Sequence, residues 1–247
     1  MNLPVIEVFK SIQGEGICVG TPSVFIRTGG CNLNCDFCDT SYSWKDKTEM
    51  NIDGVLEFVE LAVEQGYSHI VVTGGEPTLH WEKMEILLER IGREIADDPW
   101  ELYTTVETNG SLYQAMYSAG VDLVSISPKM DKINDAYLNS LRSYVDEPLG
   151  YFSMRDMQFK FLVQYKQIDE DLEKIHKLME NIRMERIIDH VILILQPMWH
   201  KDDDYLKVTQ QIADYIQTPE IIHRFSGFHL RVIPQLHKFL WGNQRYK

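Results

Sequence analysis

The sequence predicts an α/β fold of mostly parallel strands joined by helical crossovers. Short Val- and Ile-rich runs alternate with longer stretches whose apolar residues recur at helical spacing. Polar and glycine-bearing motifs repeatedly fall just after a strand, on the face where parallel β/α barrels gather their functional residues. Low-complexity tracts, internal repeats and a Pro/Gly-rich linker are absent from the 247 residues, so a single domain over 1–247 accounts for the chain. A partial barrel and an open sheet both satisfy this pattern.

Taken in order, Val5 to Lys10 and Ser23 to Thr28 read as strands. Asp53 to Gln65 reads as a helix, because Val55, Leu56, Phe58, Val59, Ala62 and Val63 fall on one side at a period of 3.6. Ile70-Val71-Val72 is a β-branched strand ending at Thr73-Gly74-Gly75. Trp81 to Ile95 reads as a helix, Leu102 to Val106 as a strand and Leu112 to Ser118 as a short helix. Val121 to Ile126 is a strand ending at Ser127-Pro128-Lys129, and Ile133 to Tyr144 is helical. Gln158 to Gln164 is a strand, Leu172 to Ile182 a helix, and Val191 to Leu195 a strand ending at Gln196-Pro197. Asp204 to Ile216 is the last long helix. The segment from Lys132 to Met157 carries no motif and reads as a covering element, a dimer contact or a plain surface helix and loop.

Composition bounds the function. Hydrophobic residues make up 44% of the chain, enough for a large core, and no run approaches a transmembrane span. The formal charge of −13 provides no basic stripe to displace counterions, which argues against nucleic acid as a partner. No secretory leader is expected at Met1-Asn2-Leu3-Pro4, and four cysteines in 247 residues do not make a disulfide framework. A reducing, cytoplasmic setting follows as the expectation.

Three of the four cysteines stand at Cys31, Cys35 and Cys38, spaced C-x3-C-x2-C in the segment GGCNLNCDFCDT. Three thiolates this close suit three corners of an iron–sulfur cube, with one iron left without a protein ligand. Structural zinc is the rival, but it asks for a second Cys/His pair that this sequence lacks at finger spacing. His69 and His80 each read as a surface or turn residue, and Cys18, between Ile17 and Val19, as a small buried hydrophobe. Gly74-Gly75-Glu76-Pro77 taken alone is a strand-to-helix turn, and Gly14 and Gly16 around Glu15 suggest a hairpin. Arg27 is either a solvated surface residue or an inward charge that needs a partner, and Thr40 reads as a helix cap.

Together these segments resemble the radical S-adenosylmethionine (SAM) enzymes: the cysteine triad with Phe37 before its last member, then Thr73-Gly74-Gly75-Glu76-Pro77 after a strand. Within that superfamily the chain resembles the 7-carboxy-7-deazaguanine synthases of queuosine biosynthesis. The resemblance rests on Ser11-Ile12-Gln13-Gly14-Glu15-Gly16, Phe25-Ile26-Arg27, Cys38-Asp39-Thr40, Glu107-Thr108-Asn109-Gly110, Ser127-Pro128-Lys129 and Pro234-Gln235-Leu236-His237-Lys238. It spans essentially the whole chain.

The resemblance implies a reduced radical-SAM β/α barrel and a carbon–nitrogen lyase that converts 6-carboxy-5,6,7,8-tetrahydropterin to 7-carboxy-7-deazaguanine with loss of ammonia. It implies a [4Fe–4S] cluster on Cys31, Cys35 and Cys38 and SAM chelated at the open iron and regenerated each turnover. SAM is expected beside Phe37, Cys38, Asp39, Gly74, Gly75, Glu76, Ser127, Pro128 and Lys129, more weakly beside Gln196-Pro197. Thr40 would meet a Mg2+ ion completed by substrate oxygens and water. Arg27 would hold the substrate carboxylate, and Ile12, Gln13, Gly14, Glu15, Thr73, Glu107 and His237 would contact the pterin. An external one-electron reductant such as flavodoxin or ferredoxin and a homodimer are expected by the same resemblance. Two rivals stand beside it. A glycyl-radical activase would share the cysteines without using Gln13, Arg27 or Glu107, and an electron carrier would need Cys18 as a fourth ligand. Whether Phe239 to Lys247 closes the pocket or packs on the surface is left to the structure.

Overall fold

β-Branched runs become strands where Gly, Pro or polar residues bound them, and eight such runs join in one sheet. The computed structural model describes residues 1–95, 102–146, 157–182 and 191–242. Strand β1 (Asn2–Leu3) is followed by β2 (Val5–Ile12), which turns back antiparallel on β3 (Pro22–Thr28), while β4 (Met50–Asn51) pairs with β1 in a small ribbon. From β3 onward, order in space follows order in sequence. β5 (His69–Gly74), β6 (Tyr103–Thr108), β7 (Leu123–Ile126), β8 (Met157–Val163), β9 (Ile192–Pro197) and β10 (His229–Val232) each lie parallel to the strand before. Among the described residues β10 and β2 do not pair, so the architecture is an opened β/α barrel.

Crossovers run through α1 (Ile52–Val63), α2 (Trp81–Glu94), α3 (Asp135–Asp146), α4 (Ile168–Ile182) and α5 (Tyr205–Ile216), followed by the short α6 (Pro219–Arg224) and α7 (Leu236–Trp241). Asn51 caps α1 by accepting from the Asp53 N–H at 2.8 Å, and Asp204 caps α5 through the Lys207 N–H at 3.1 Å. The apolar helix faces share one core with the outward side chains of the sheet, including Ile26, Val72, Val106, Phe159, Phe161 and Leu195. Strand alternation then turns the other face inward. On β8, Gln158 and Lys160 face the barrel interior while Phe159 and Phe161 pack outward.

The β2–β3 connection fills that interior. Its neck is closed by the Gln13 N–H to Thr21 O and Gly20 N–H to Gln13 O bonds, both 2.8 Å, and its tip reaches β8 through the Ile17 N–H to Gln158 Oε1 bond at 2.9 Å. The Leu236 N–H donates to Gly14 O at 2.8 Å, so this loop and the segment after β10 bridge the unpaired side of the barrel.

Several expectations change. Leu112 to Ser118 is not a helix: within it the chain forms only a 3-10 turn at Tyr117–Ala119, ended by Gly120 at φ 75°. Seven residues do not recover the cost of helix nucleation, and the Leu112 carbonyl is taken by the Tyr144 hydroxyl at 2.8 Å. β10 is a four-residue edge strand of mixed polarity, too short and too exposed for periodicity to reveal. Within the 132–157 segment, α3 covers the sheet, and its Tyr137 hydroxyl holds Asn109 O and accepts from the Lys129 N–H; residues 147–156 lie outside the described residues, as do 243–247 of the tail. No helix among the described residues is long and apolar enough to cross a membrane.

His69 is neither exposed nor in a turn. It begins β5 and is 2% exposed. Ser23 spends its hydroxyl proton on Thr21 O, so His69 Nδ1–H donates to Ser23 Oγ and Nε2 accepts from Thr105 Oγ1, both at 2.8 Å. The neutral ring is therefore satisfied, and burial pushes its pKa down to about 4. Unfolded, the ring protonates near 6.5. The unfolded state thus binds the extra proton first, and stability falls as pH drops from 6.5 toward 4. The loss reaches about 3 kcal/mol at 1.36 kcal/mol per unit. His69→Gln should flatten this limb, checked by urea midpoints across that range. Cys18, expected to be buried, is half-buried in the β2–β3 loop, where burial pushes its thiol pKa up.

Candidate active site

Two loops at the carboxyl ends of β3 and β5 build one wall of a cleft of about 760 Å3. After β3 the chain passes Gly30, at φ 82°, whose N–H donates to Ser43 O at 2.8 Å, and enters the cysteine loop. There the Leu33 N–H points to Cys31 Sγ at 3.4 Å and the Cys38 N–H to Cys35 O at 3.1 Å. Cys31, Cys35 and Cys38 all line the cleft and none forms a disulfide. Burial raises the thiol pKa of Cys31 and Cys35. Three free sulfur donors from one short loop fit an iron–sulfur cube with an open iron. Cys18 is not among the lining residues, so a fourth cysteine ligand is not supplied from this cleft.

The Gly74-Gly75 turn docks on the root of that loop. Gly75 N–H donates to Thr28 O at 3.0 Å and Glu76 N–H to Gly30 O at 2.9 Å. A Cβ at Gly75 would collide with the Gly30 carbonyl oxygen, and one at Gly74 with the Thr28 backbone. Glycine here is a packing requirement, and it leaves bare backbone facing the cleft. Glu76, expected beside a cofactor, does not line the cleft. It is fully buried, and its carboxylate accepts from Thr78 N, Thr78 Oγ1, Thr108 Oγ1 and Asn109 N at 2.7–3.2 Å. Its side chain is a brace joining the β5 and β6 turns. Ser127 and Lys129 do line the cleft, with Lys129 Nζ donating to Ser127 Oγ at 2.9 Å, and burial lowers the Lys129 pKa; Pro128 is not among the lining residues. Phe37 and Asp39 line it from the exposed side, and Gln196 lines it from the end of β9.

The same cleft is also lined by Ile12, Gln13, Gly14, Glu15, Arg27, Thr73, Glu107 and His237. Glu107 Oε2 accepts from Thr73 Oγ1 at 2.8 Å and Oε1 from Gln13 Nε2 at 3.3 Å, while Gln13 Oε1 accepts from the Glu15 N–H at 3.1 Å. Arg27 faces inward and has the partner that such a charge needs. Its Nε lies 2.6 Å from Glu7 Oε1, and its guanidinium is 5.4 Å from the centre of the Phe9 ring. Thr40 makes no side-chain cap to the 3-10 turn Ser41–Ser43, so the capping reading fails; its hydroxyl lies 3.6 Å from Cys38 Sγ at the cleft wall. Ligand atoms of Glu15, Asp39 and His237 lie within 4.8 Å of one another. Both Glu15 oxygens are already engaged, however, one by Lys160 and one by Gln235 Nε2 at 2.7 Å. Burial opposes charge at each of these sites. Lys160 and His237 still hold Glu15 at about 2, Glu15 and Glu107 push Lys160 upward, and burial keeps His237 below its ordinary value.

Among the lining residues to which the sequence gives no role, Gln235 and Lys160 matter most to the charge balance. Gln235 sat in a quoted motif without a role. Lys160 carried a signal that went unused: polar Gln158 and Lys160 at alternate positions of an otherwise apolar strand mark an inward-facing polar row.

Residues 25–147 match the Radical SAM superfamily. Over 98% of its length the chain is 34% identical to the 7-carboxy-7-deazaguanine synthase of Halobacterium salinarum, covering 91% of that protein. It is 28% identical to the Bacillus subtilis enzyme of the same name, over 99% of this chain and 98% of that one. Its fold is similar to the crystal structure of QueE from Escherichia coli, with a TM-score of 0.60 at 20% identity, covering 94% of this chain and 93% of that chain.

Proposed function

We infer the working of the cleft from one premise: the chain belongs to the 7-carboxy-7-deazaguanine synthase family. It is a radical SAM lyase, and its reaction takes 6-carboxy-5,6,7,8-tetrahydropterin to 7-carboxy-7-deazaguanine with loss of ammonia, in queuosine and 7-deazapurine biosynthesis. Cys31, Cys35 and Cys38 would hold a [4Fe–4S] cluster, which with SAM would supply radical chemistry directed at C6 of the pterin. The protein's part is to place C6 beside that source and keep water away.

Bare backbone at Gly74-Gly75 offers carbonyls to the SAM ammonium, with Phe37, Asp39, Ser127 and Lys129 around the rest of the cofactor. Glu76 serves this site only by holding the turn. Arg27 presents a planar guanidinium to the substrate carboxylate. Gln13, Glu15, Thr73, Glu107 and His237, with the backbone of Ile12 and Gly14, receive the pterin ring. Thr40 offers its hydroxyl to a Mg2+ ion that keeps water and substrate oxygens as its other ligands. A small one-electron carrier such as flavodoxin or ferredoxin serves as reductant, and the enzyme works as a cytoplasmic homodimer.

The observation that carries this reading is the convergence of the three cysteines with Gln13, Arg27, Thr73 and Glu107 on one cleft. A glycyl-radical activase has no use for that polar set. The test is anaerobic turnover of reconstituted, reduced protein with SAM, Mg2+ and carboxytetrahydropterin. Deoxyadenosine accumulating without a deazaguanine product would sink the substrate assignment. Arg27→Ala should raise KM about 10–100-fold, the worth of one or two charge-assisted hydrogen bonds, with a smaller change in kcat; an unchanged KM in steady-state kinetics would remove Arg27 from this role.

A further inference from the structure

Strand β8 reads Met-Gln-Phe-Lys-Phe-Leu-Val, and its central Lys160 is only 7% exposed. An ammonium at that depth costs several kcal/mol unless anions meet it. Ile194 sits beside it in the β9 register, so an apolar side chain would satisfy the fold there. Two carboxylates from separate elements meet it instead: Glu15 of the β2–β3 loop in direct contact, and Glu107 at the end of β6 at 3.7 Å. The Glu107 carboxylate also accepts from Gln13 and Thr73, and Gln13 is tied in turn to the Glu15 backbone N–H. Without the cation, two acidic groups in one cleft would repel, and among the described residues the loop would keep only the Ile17–Gln158 bond as its tie to β8. A carboxylate has about four acceptor positions, so Glu15, with Lys160 and Gln235 on it, and Glu107, with Thr73 and Gln13 on it, each keep capacity for a ligand N–H.

We propose that Lys160 is a positioning residue for the substrate, fixing the Glu15 and Glu107 carboxylates as a paired acceptor for the row of N–H donors on a fused aminopyrimidinone ring. This deepens the pterin reading above and rests on it. The test uses reconstituted enzyme with SAM and, as probe, 6-carboxypterin, which carries the same aminopyrimidinone edge and carboxylate. Lys160→Met and Lys160→Gln should each weaken probe binding by calorimetry at least about tenfold, the scale of one charge-assisted contact. KM should rise by a similar factor, while iron content and SAM affinity of the folded variants stay near the parent values and the thermal midpoint falls, because two buried carboxylates lose their cation. Lys160→Arg should recover part of the loss. Probe affinity within about twofold of the parent in both neutral variants, or failure of both to fold, would overturn the proposal, the latter by making Lys160 structural. If the parent itself neither binds the probe nor turns over carboxytetrahydropterin, the pterin reading has failed before Lys160 is in question.

Discussion

Cys35→Ala is expected to lose bound iron and all turnover, whereas Cys18→Ala keeps both. Cys35 is 6% exposed, and its carbonyl receives the Cys38 N–H, so the side chain is held toward the cleft by its own loop. Removing it leaves two sulfur donors for a cube that takes three. Changes to residues behind metal ligands already cost roughly 10–100-fold in affinity, and loss of a ligand from a three-ligand site exceeds that. Cys18 differs in its surroundings. It lies in the β2–β3 loop, touches Thr105 and is not among the residues lining the cleft. Iron and sulfide analysis after anaerobic reconstitution, with the visible absorption of the cluster, separates the two variants. Iron retained by Cys35→Ala, or lost by Cys18→Ala, would restore the electron-carrier reading with Cys18 as a ligand.

What was legible in the sequence was whatever is contiguous. Cys31, Cys35 and Cys38 lie within eight residues, and Gly74-Gly75 directly follows its strand, so spacing alone placed them on one loop each. The β/α alternation was legible too, because six of the seven parallel strands, taken in sequential order, need only local periodicity to be found, and only the short edge strand β10 does not. What failed depended on partners distant in sequence. His69 at the start of a strand resembles a surface residue until Ser23 and Thr105 are brought to its two nitrogens. Lys160 acquires meaning only when a loop 145 residues earlier folds into the barrel beside it. The Glu76 side chain draws two of its four donors from Thr108 at the end of β6 and Asn109 just after it, which its motif does not show.

Glu76→Gln is therefore expected to destabilise the fold nearly as much as Glu76→Ala. All four of its partners are donors, and two of them are backbone or side chain of Thr78, in the turn that opens α2. An ionised carboxylate accepts all four. A carboxamide offers one acceptor oxygen and turns its NH2 toward groups that also donate, leaving buried donors unpaired. Hydrogen bonds to charged groups are worth about 1.5–3 kcal/mol each. With partial relaxation, since the Thr78 and Thr108 hydroxyls can rotate, the loss for either variant should be roughly 3–5 kcal/mol. Alanine removes the repulsion but leaves a void and the same orphaned Asn109 N–H, which is why the two variants converge. The Gly74-Gly75 turn and the Asn109 turn would then lose their fixed spacing, and SAM affinity should fall as a consequence of that loosening. Urea denaturation of the metal-free protein isolates the stability term, because neither cluster nor SAM contributes to it. A Glu76→Gln variant with parental stability and weakened SAM binding would show instead that the carboxylate serves the cofactor directly.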